Sequence, residues 1–332
     1  MYDQPGKLVE YKELVNSHLT LFLKRHGAAA DFAQPQSLYD PVRYALEGNG
    51  KRLRPVLLLM CCEAMGGKAQ SALPAAAAVE LMHNFTLVHD DIMDHDDTRR
   101  GRPTVHRRWG TEAAILAGDA LVVLAYKSLL ESESPRLPEL CRLFTDGILE
   151  ICEGQAWDRD FEQEKSVSAG QYQTMILKKT ARLLAICAQM GAWLGGGASR
   201  QVEIFRRCAE HVGLAFQIQD DLLDITVEQA VLGKDFGSDV RRHKRTFLYV
   251  HANAHGDAGL RRELQNIFAK EVTDADILSA QRIFRATGAL AAAEAAVRHH
   301  MKSAQGYLTE LGRLPNAGDF NVFIEMILQR RA

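Results

Sequence analysis

The stretch Leu87-Val88-His89-Asp90-Asp91-Ile92-Met93-Asp94 constrains this chain more than any other. Five carboxylates fall between Asp90 and Asp97, after an apolar run of helical periodicity and just before Arg99, Arg100 and Gly101. The pattern returns 130 positions later as Gln217-Ile218-Gln219-Asp220-Asp221-Leu222-Leu223-Asp224. A helix turns by about 100° per residue, so positions four apart lie within about 40° of one another. Asp90 and Asp94 therefore share a face with Asp91 at its edge, and Asp220, Asp221 and Asp224 repeat that geometry. Like charges at this spacing destabilise a helix, and they sit at the end where the helix dipole is already negative. Something positive has to offset them. Mg²⁺ is usually held by one or two carboxylates together with waters and substrate phosphates. A solvated acidic helix end accounts for one such motif. Two in matched apolar contexts point to a cage for metal ions and a diphosphate.

Helical periodicity runs through nearly the whole chain, and the alternating β-branched stretches that mark strands are missing. The pattern predicts helices over 8–26, 39–46, 56–65, 74–94, 111–131, 137–164, 168–194, 198–226, 240–254, 258–270, 273–286, 289–312 and 317–330. Pro55 before one of them and Gly66-Gly67 after it follow the usual preferences for helix ends. No linker or composition shift divides the 332 residues, so one all-α domain spanning 1–332 is expected. With 47% hydrophobic and 25% charged residues the chain can bury a substantial core. A formal charge of −2 gives no general pull toward nucleic acid or an anionic membrane. The best candidate for a membrane span, Ala113–Leu130, is interrupted by Asp119 and Lys127, so no span is expected. Six cysteines without metal-ligand spacing read as free thiols in a reducing cytosol, and Met1–Gly6 carries no signal-peptide pattern. A cytoplasmic location is the expectation.

Positive charge is concentrated locally. Gly50-Lys51-Arg52-Leu53-Arg54-Pro55 sets three cations at the start of a helix, where free N–H groups and the dipole favour an anion. An ordinary solvated surface would carry such a cluster too. His83 lies seven residues before Asp90, about 20° round the helix on the same face; a lone helical histidine is equally a core or surface residue. Arg99 and Arg100 present planar forks that grip phosphate, or simply neutralise the acids before them. Lys178-Lys179-Thr180 interrupts an apolar helix, and Gly154-Gln155 and Asp158 add polar groups on the preceding one. Gly233-Lys234, Gly237-Ser238-Asp239 and Lys244-Arg245-Thr246 follow the second acidic motif. Lysines flanking acids suit an anion, and the glycines suit a moving lid.

Five motifs resemble, in order, those of the trans-isoprenyl diphosphate (polyprenyl) synthases over roughly Tyr39–Thr246. They are G-K-R-L-R-P, H-x₅-H-D-D-I-M-D, R-R-G-R-P-T, K-T, and F-Q-I-Q-D-D-L-L-D followed by G-K-x-x-G-S-D-x₄-K-x-T. The resemblance implies one large bundle of antiparallel helices around a central cavity, usually as a homodimer. It implies Mg²⁺, as three ions per site with substrate bound. Asp90, Asp94 and Asp220 would be direct ligands, with Asp91, Asp221 and Asp224 supporting through water or as further ligands. Arg99, Lys179, Lys234 and Lys244 would hold the diphosphate of an allylic substrate, helped by Thr180 and Gln217. Lys51, Arg54, His83 and Arg100 would hold that of isopentenyl diphosphate. The implied reaction is head-to-tail (1′-4) condensation of the two, with Asp90, Asp91, Asp94, Arg99, Lys179, Asp220 and Lys234 as its catalytic residues. The residues fit that chemistry. Breaking an allylic C–O bond needs the charge on the departing diphosphate stabilised, which metal ions and fixed cations supply. No protein nucleophile is needed, and no Ser/His/Asp or Cys/His arrangement is evident.

In this family, bulk upstream of the first acidic motif forms the floor of the chain pocket. Here the fifth residue before Asp90 is Phe85, the fourth Thr86 and the eighth Met82. One aromatic at the fifth position, without an insertion in the motif, resembles the geranylgeranyl (C20) type; a farnesyl (C15) synthase is the alternative. An ideal helix puts Thr86 beneath Asp90, so Phe85 has to reach across or the helix has to bend. A class I terpene cyclase also uses D-D-x-x-D, but the second copy and the Gly50–Pro55 cluster argue against it. A non-catalytic subunit would usually have lost acids from one motif, and both are intact here.

Overall fold

A computed structural model describes residues 6–26, 35–47, 50–226, 236–312 and 317–328. The fold is all-α, as expected. In chain order the helices are α1 (Gly6–Arg25), α2 (Gln36–Leu46), α3 (Leu53–Ala64), α4 (Leu73–Met93), α5 (Val105–Trp109), α6 (Thr111–Leu129), α7 (Leu137–Gln163) and α8 (Ala169–Ile176). They continue as α9 (Arg182–Leu194), α10 (Ser199–Thr226), α11 (Ser238–Arg241), α12 (Phe247–His255), α13 (Ala258–Ile267), α14 (Asp274–Ala286), α15 (Ala289–Glu310) and α16 (Ala317–Leu328). Two compact units divide the chain. The first comprises Met1–Thr145, Ile186–Phe205 and Arg313–Phe323; the second comprises Asp146–Ala185, Arg206–Gly312 and Ile324–Ala332.

In the first unit α4 is the central element and packs against α1, α2, α3, α5 and α6. Ala75 to Ala78 are at most 1% exposed and Val79, Leu81 and Met82 are fully buried. A helix apolar all round belongs inside, and its alanines let neighbours approach closely. Gly118 continues that fit on α6, because a Cβ there would stand 2.1 Å from His89 Nε2. Between α4 and α5 lies a feature the sequence reading missed, a pair of two-residue strands, β1 (Thr98–Arg99) and β2 (Arg102–Pro103). They pair antiparallel, Arg99 opposite Arg102. The turn residues Arg100 and Gly101 have φ of 53° and 73°, both positive as a two-residue type I′ hairpin demands.

In the second unit the helix expected over 168–194 is interrupted by a π turn, Leu177–Ala181. Such turns often mark functional positions. Gly154 on α7 makes room for it, since a Cβ there would lie 2.4 Å from the Lys179 backbone nitrogen. The helix expected over 240–254 is two helices. It stops at Arg241, passes His243 at φ 57°, and restarts where the Thr246 side chain accepts from the Tyr249 N–H. Leu248, Tyr249, Leu264, Ile283 and Phe284 are buried at the core of this unit. Among the described residues no helix is long and apolar enough to cross a membrane. All six cysteines are free.

Candidate active site

The first unit gathers the first acidic motif and a basic group. Asp90 and Asp91 end α4, and Asp94 is its C-cap. Asp91 is buried and accepts from Arg99 Nε at 2.5 Å. Burial pushes its carboxyl up to about 6, against the pull of that guanidinium. Asp90 and Asp94 stay half-exposed. Among the described residues no three His, Cys, Asp or Glu side chains converge as a ready-made metal cage. Mg²⁺ does not require one, and half-exposed hard oxygens suit an ion that keeps waters and takes phosphate oxygens.

Arg54 lies in the first turn of α3 and donates to His83 Nε2 at 3.0 Å. Burial, then the charges of Arg54, Arg100 and Arg99, hold the His83 imidazole well below its ordinary value, so the ring is neutral. The Arg100 guanidinium lies over Gly50, where a Cβ would come within 2.8 Å of Nη1. Arg54, His83 and Arg100 are thus brought together, while Lys51 is exposed just before α3. Arg52 corrects the reading of three cations turned to an anion. It is buried and donates to Glu80 Oε1 and the Leu46 carbonyl at 2.5 Å each and to Asn16 Oδ1 at 3.0 Å. It pins the loop.

Met82 is fully buried. Thr86 Oγ1 donates to the His83 carbonyl at 2.8 Å. Phe85 is half-buried and packs edge-on against His89 with ring centroids 4.8 Å apart. The helix α4 is continuous from Leu73 to Met93, so no break in it displaces Phe85.

The second unit carries a hydrogen-bonded chain through its acidic motif. Thr180 Oγ1 donates to Gln217 Oε1 at 2.8 Å, and Gln217 Nε2 donates to Asp221 Oδ1 at 2.9 Å. Asp221 Oδ2 accepts from the Tyr172 hydroxyl at 2.6 Å and the Phe247 N–H at 2.8 Å. Burial pushes the Asp221 carboxyl up to about 7 in spite of these donors. Asp224 accepts from Ser238 Oγ at 2.7 Å and the Asp239 N–H at 3.1 Å, which folds the Gly237-Ser238-Asp239 turn back onto the helix. Asp220 is half-exposed. Lys234, with Gly233, lies outside the described residues.

Lys179 and Lys244 meet on one carboxylate. Asp158 Oδ2 accepts from Lys179 Nζ at 2.6 Å and from Lys244 Nζ at 2.8 Å, and Lys244 also pairs with Glu162 at 2.7 Å. Burial alone would raise the Asp158 carboxyl, but the two ammonium groups outweigh it and bring it to about 2. One turn earlier, both amide atoms of Gln155 are buried with no hydrogen-bond partner. The sequence reading gave Gln155 and Asp158 only a supporting place and missed Glu162, although the four-residue step from Asp158 to Glu162 marks a shared face.

Backbone strain gathers at the same places. Among the described residues the only non-glycine residues with positive φ are Arg52, His95, Arg100 and His243. They adjoin or nearly adjoin Arg54, Asp94, Arg99 and Lys244. Each such residue costs on the order of 1 kcal/mol or more and persists where its surroundings impose it, commonly at functional sites.

Residues 35–312 match the model of the polyprenyl synthetase family. A geranylgeranyl diphosphate synthase of Methanosarcina mazei is 45% identical over 225 residues, 67% of this chain and 69% of that protein. A (2E,6E)-farnesyl diphosphate synthase of Mycobacterium tuberculosis is 35% identical over 289 residues, 85% of this chain and 80% of that one. The crystal structure of geranylgeranyl pyrophosphate synthetase from Pyrococcus horikoshii matches with a TM-score of 0.89 at 32% identity, covering 98% of both chains. The chain belongs to the polyprenyl synthetase family and is a prenyltransferase.

Proposed function

We propose that this enzyme condenses isopentenyl diphosphate head-to-tail with an allylic diphosphate to give geranylgeranyl diphosphate (C20). The observation that carries the reading is that each D-D-x-x-D helix end shares its unit with its own cationic set. Arg54, neutral His83 and Arg100 accompany the first, and Lys179 and Lys244 accompany the second. Asp90, Asp94 and Asp220 are the proposed Mg²⁺ ligands. Asp91, Asp221 and Asp224 serve them by position, because their oxygens already accept from Arg99, from Tyr172, Gln217 and Phe247, and from Ser238 and Asp239. When bound, Mg²⁺ lends Lewis-acid charge to the leaving diphosphate. Arg99, Lys179, Lys234 and Lys244 hold the allylic diphosphate, with Thr180 and Gln217 orienting it. Lys51, Arg54, His83 and Arg100 hold that of isopentenyl diphosphate. Both units serve one catalytic domain, residues 1–332, and the protein works in the cytoplasm as a homodimer.

Phe85 sets the product length in this reading. The farnesyl alternative stays open because relatives of both names match the chain. Purified protein with Mg²⁺, isopentenyl diphosphate and dimethylallyl, geranyl or farnesyl diphosphate tests it, with products sized by mass spectrometry. A C20 product that lengthens in Phe85→Ala supports the proposal. A C15 product moves the floor to Met82 or another residue. No condensation by folded protein overturns the synthase reading.

A further inference from the structure

Away from the acidic motifs, histidine rings meet both across and along helices. His211 of α10 and His300 of α15 meet Nδ1 to Nδ1 at 2.9 Å, so each facing nitrogen is taken up by the other. His251 and His255 meet differently. They stand four residues apart in the C-terminal half of α12, and their rings stack with centroids 4.2 Å apart and planes 20° from parallel. The other side of this short helix is committed to the core, where Leu248, Tyr249 and Ala252 are buried. His251 is half-buried and His255 is exposed, so the pair looks outward.

The hydrogen bonds decide what these rings can do. His255 Nδ1 lies 3.0 Å from the His251 carbonyl. A carbonyl only accepts, so Nδ1 carries a proton and the neutral ring keeps its lone pair on Nε2. Burial, then His255, holds the His251 imidazole below its ordinary value, against a hydrogen bond with the Thr287 backbone. That ring is therefore neutral near pH 7 as well. A histidine that ligates a metal does so in this way, one nitrogen tied to a carbonyl and the other left to coordinate. Histidines four apart on a helix face supply two ligands to one ion. At about 2.0–2.1 Å from a tetrahedral ion, two ligating nitrogens stand about 3.4 Å apart, and rings 4.2 Å apart reach that by closing about 1 Å. The C-terminal end of a helix also favours a cation. Imidazole pairs suit Zn²⁺, Ni²⁺ or Cu²⁺, whereas Mg²⁺ takes oxygen.

We infer that His251 and His255 form a second metal site, a two-imidazole chelate for a divalent transition cation that clips the end of α12. Water completes its shell, because among the described residues no third ligating side chain joins the pair. The clip steadies a helix that matters to the acidic motif. Phe247 at its head gives its N–H to Asp221 at 2.8 Å and stacks on His251 with ring centroids 6.2 Å apart. Isothermal titration of the untagged full chain with Ni²⁺ tests this, with Mg²⁺ in large excess to keep the carboxylates occupied. Circular dichroism checks that each variant is folded, and alanine suits a helix. The wild type is expected to bind Ni²⁺, and His251→Ala and His255→Ala are each expected to weaken binding about a hundredfold or more. Ni²⁺ should also raise the unfolding midpoint of the wild type and of neither variant. A wild type that binds no Ni²⁺, or binding unchanged in either variant, overturns the inference. Binding that survives both substitutions and is lost in His300→Ala overturns it too, and assigns the ion to the α10–α15 pair.

Discussion

Replacing Asp158 by asparagine removes the carboxylate that Lys179 and Lys244 share at 2.6 and 2.8 Å. The fall of its pKa from the ordinary 3.8 to about 2 corresponds to about 2.5 kcal/mol in favour of the charged, folded form. A second route agrees, since breaking a buried ion pair costs about 3–5 kcal/mol. That figure is reduced here because Lys244 keeps Glu162 and the Lys179 side chain is 24% exposed. Asp158→Asn is therefore expected to lose about 2–4 kcal/mol near neutral pH. The folded pKa lies below the unfolded one. The stabilisation is thus present above about pH 4 and is lost as pH falls through about 2, where wild type and variant converge. Urea unfolding followed by circular dichroism reads this directly. Kinetics read the consequence for the lysines: KM for the allylic diphosphate should rise about tenfold while KM for isopentenyl diphosphate changes little. A variant within about 0.5 kcal/mol of wild type near neutral pH, or a gap that widens on acidification, would refute the reasoning.

Gly154→Ala forces a methyl group to within 2.4 Å of the Lys179 backbone. It should cost about 1–3 kcal/mol or more and depress turnover, both measurable on the purified variant. Arg52→Ala leaves the buried Glu80 carboxylate with no cation and only the Asn84 amide donating to it, at 3.1 Å, and should cost about 3 kcal/mol in urea unfolding, with a larger effect on stability than on KM.

The helices were legible because their apolar faces recur at helical spacing. The span expected over 137–164 and α7 nearly coincide, as do 198–226 and α10. What escaped depends on contacts between residues far apart. The π turn at Leu177–Ala181 fits against Gly154, and no local pattern announces it. Two-residue strands are too short for alternation to show, although Arg100-Gly101 carries the glycine of a type I′ turn. Thr246 is an ordinary N-cap type, but nothing before it looks like a break. At the site, spacing put Asp220, Asp221 and Asp224 on one side of a helix as a candidate metal face. It could not show that Tyr172 and Ser238 already donate to them. Arg52 was read with Lys51 and Arg54 because its partner Glu80 lies 28 residues away.

The central claim is that both acidic helix ends drive one condensation. Incorporation of labelled isopentenyl diphosphate should be measured for wild type, Asp90→Asn and Asp220→Asn, before and after chelation and with Mg²⁺ restored. The account predicts that chelation stops the wild type and Mg²⁺ restores it. Each folded variant should remain slower by about a hundredfold or more at saturating Mg²⁺. Wild-type turnover by either variant at saturating Mg²⁺ would contradict it.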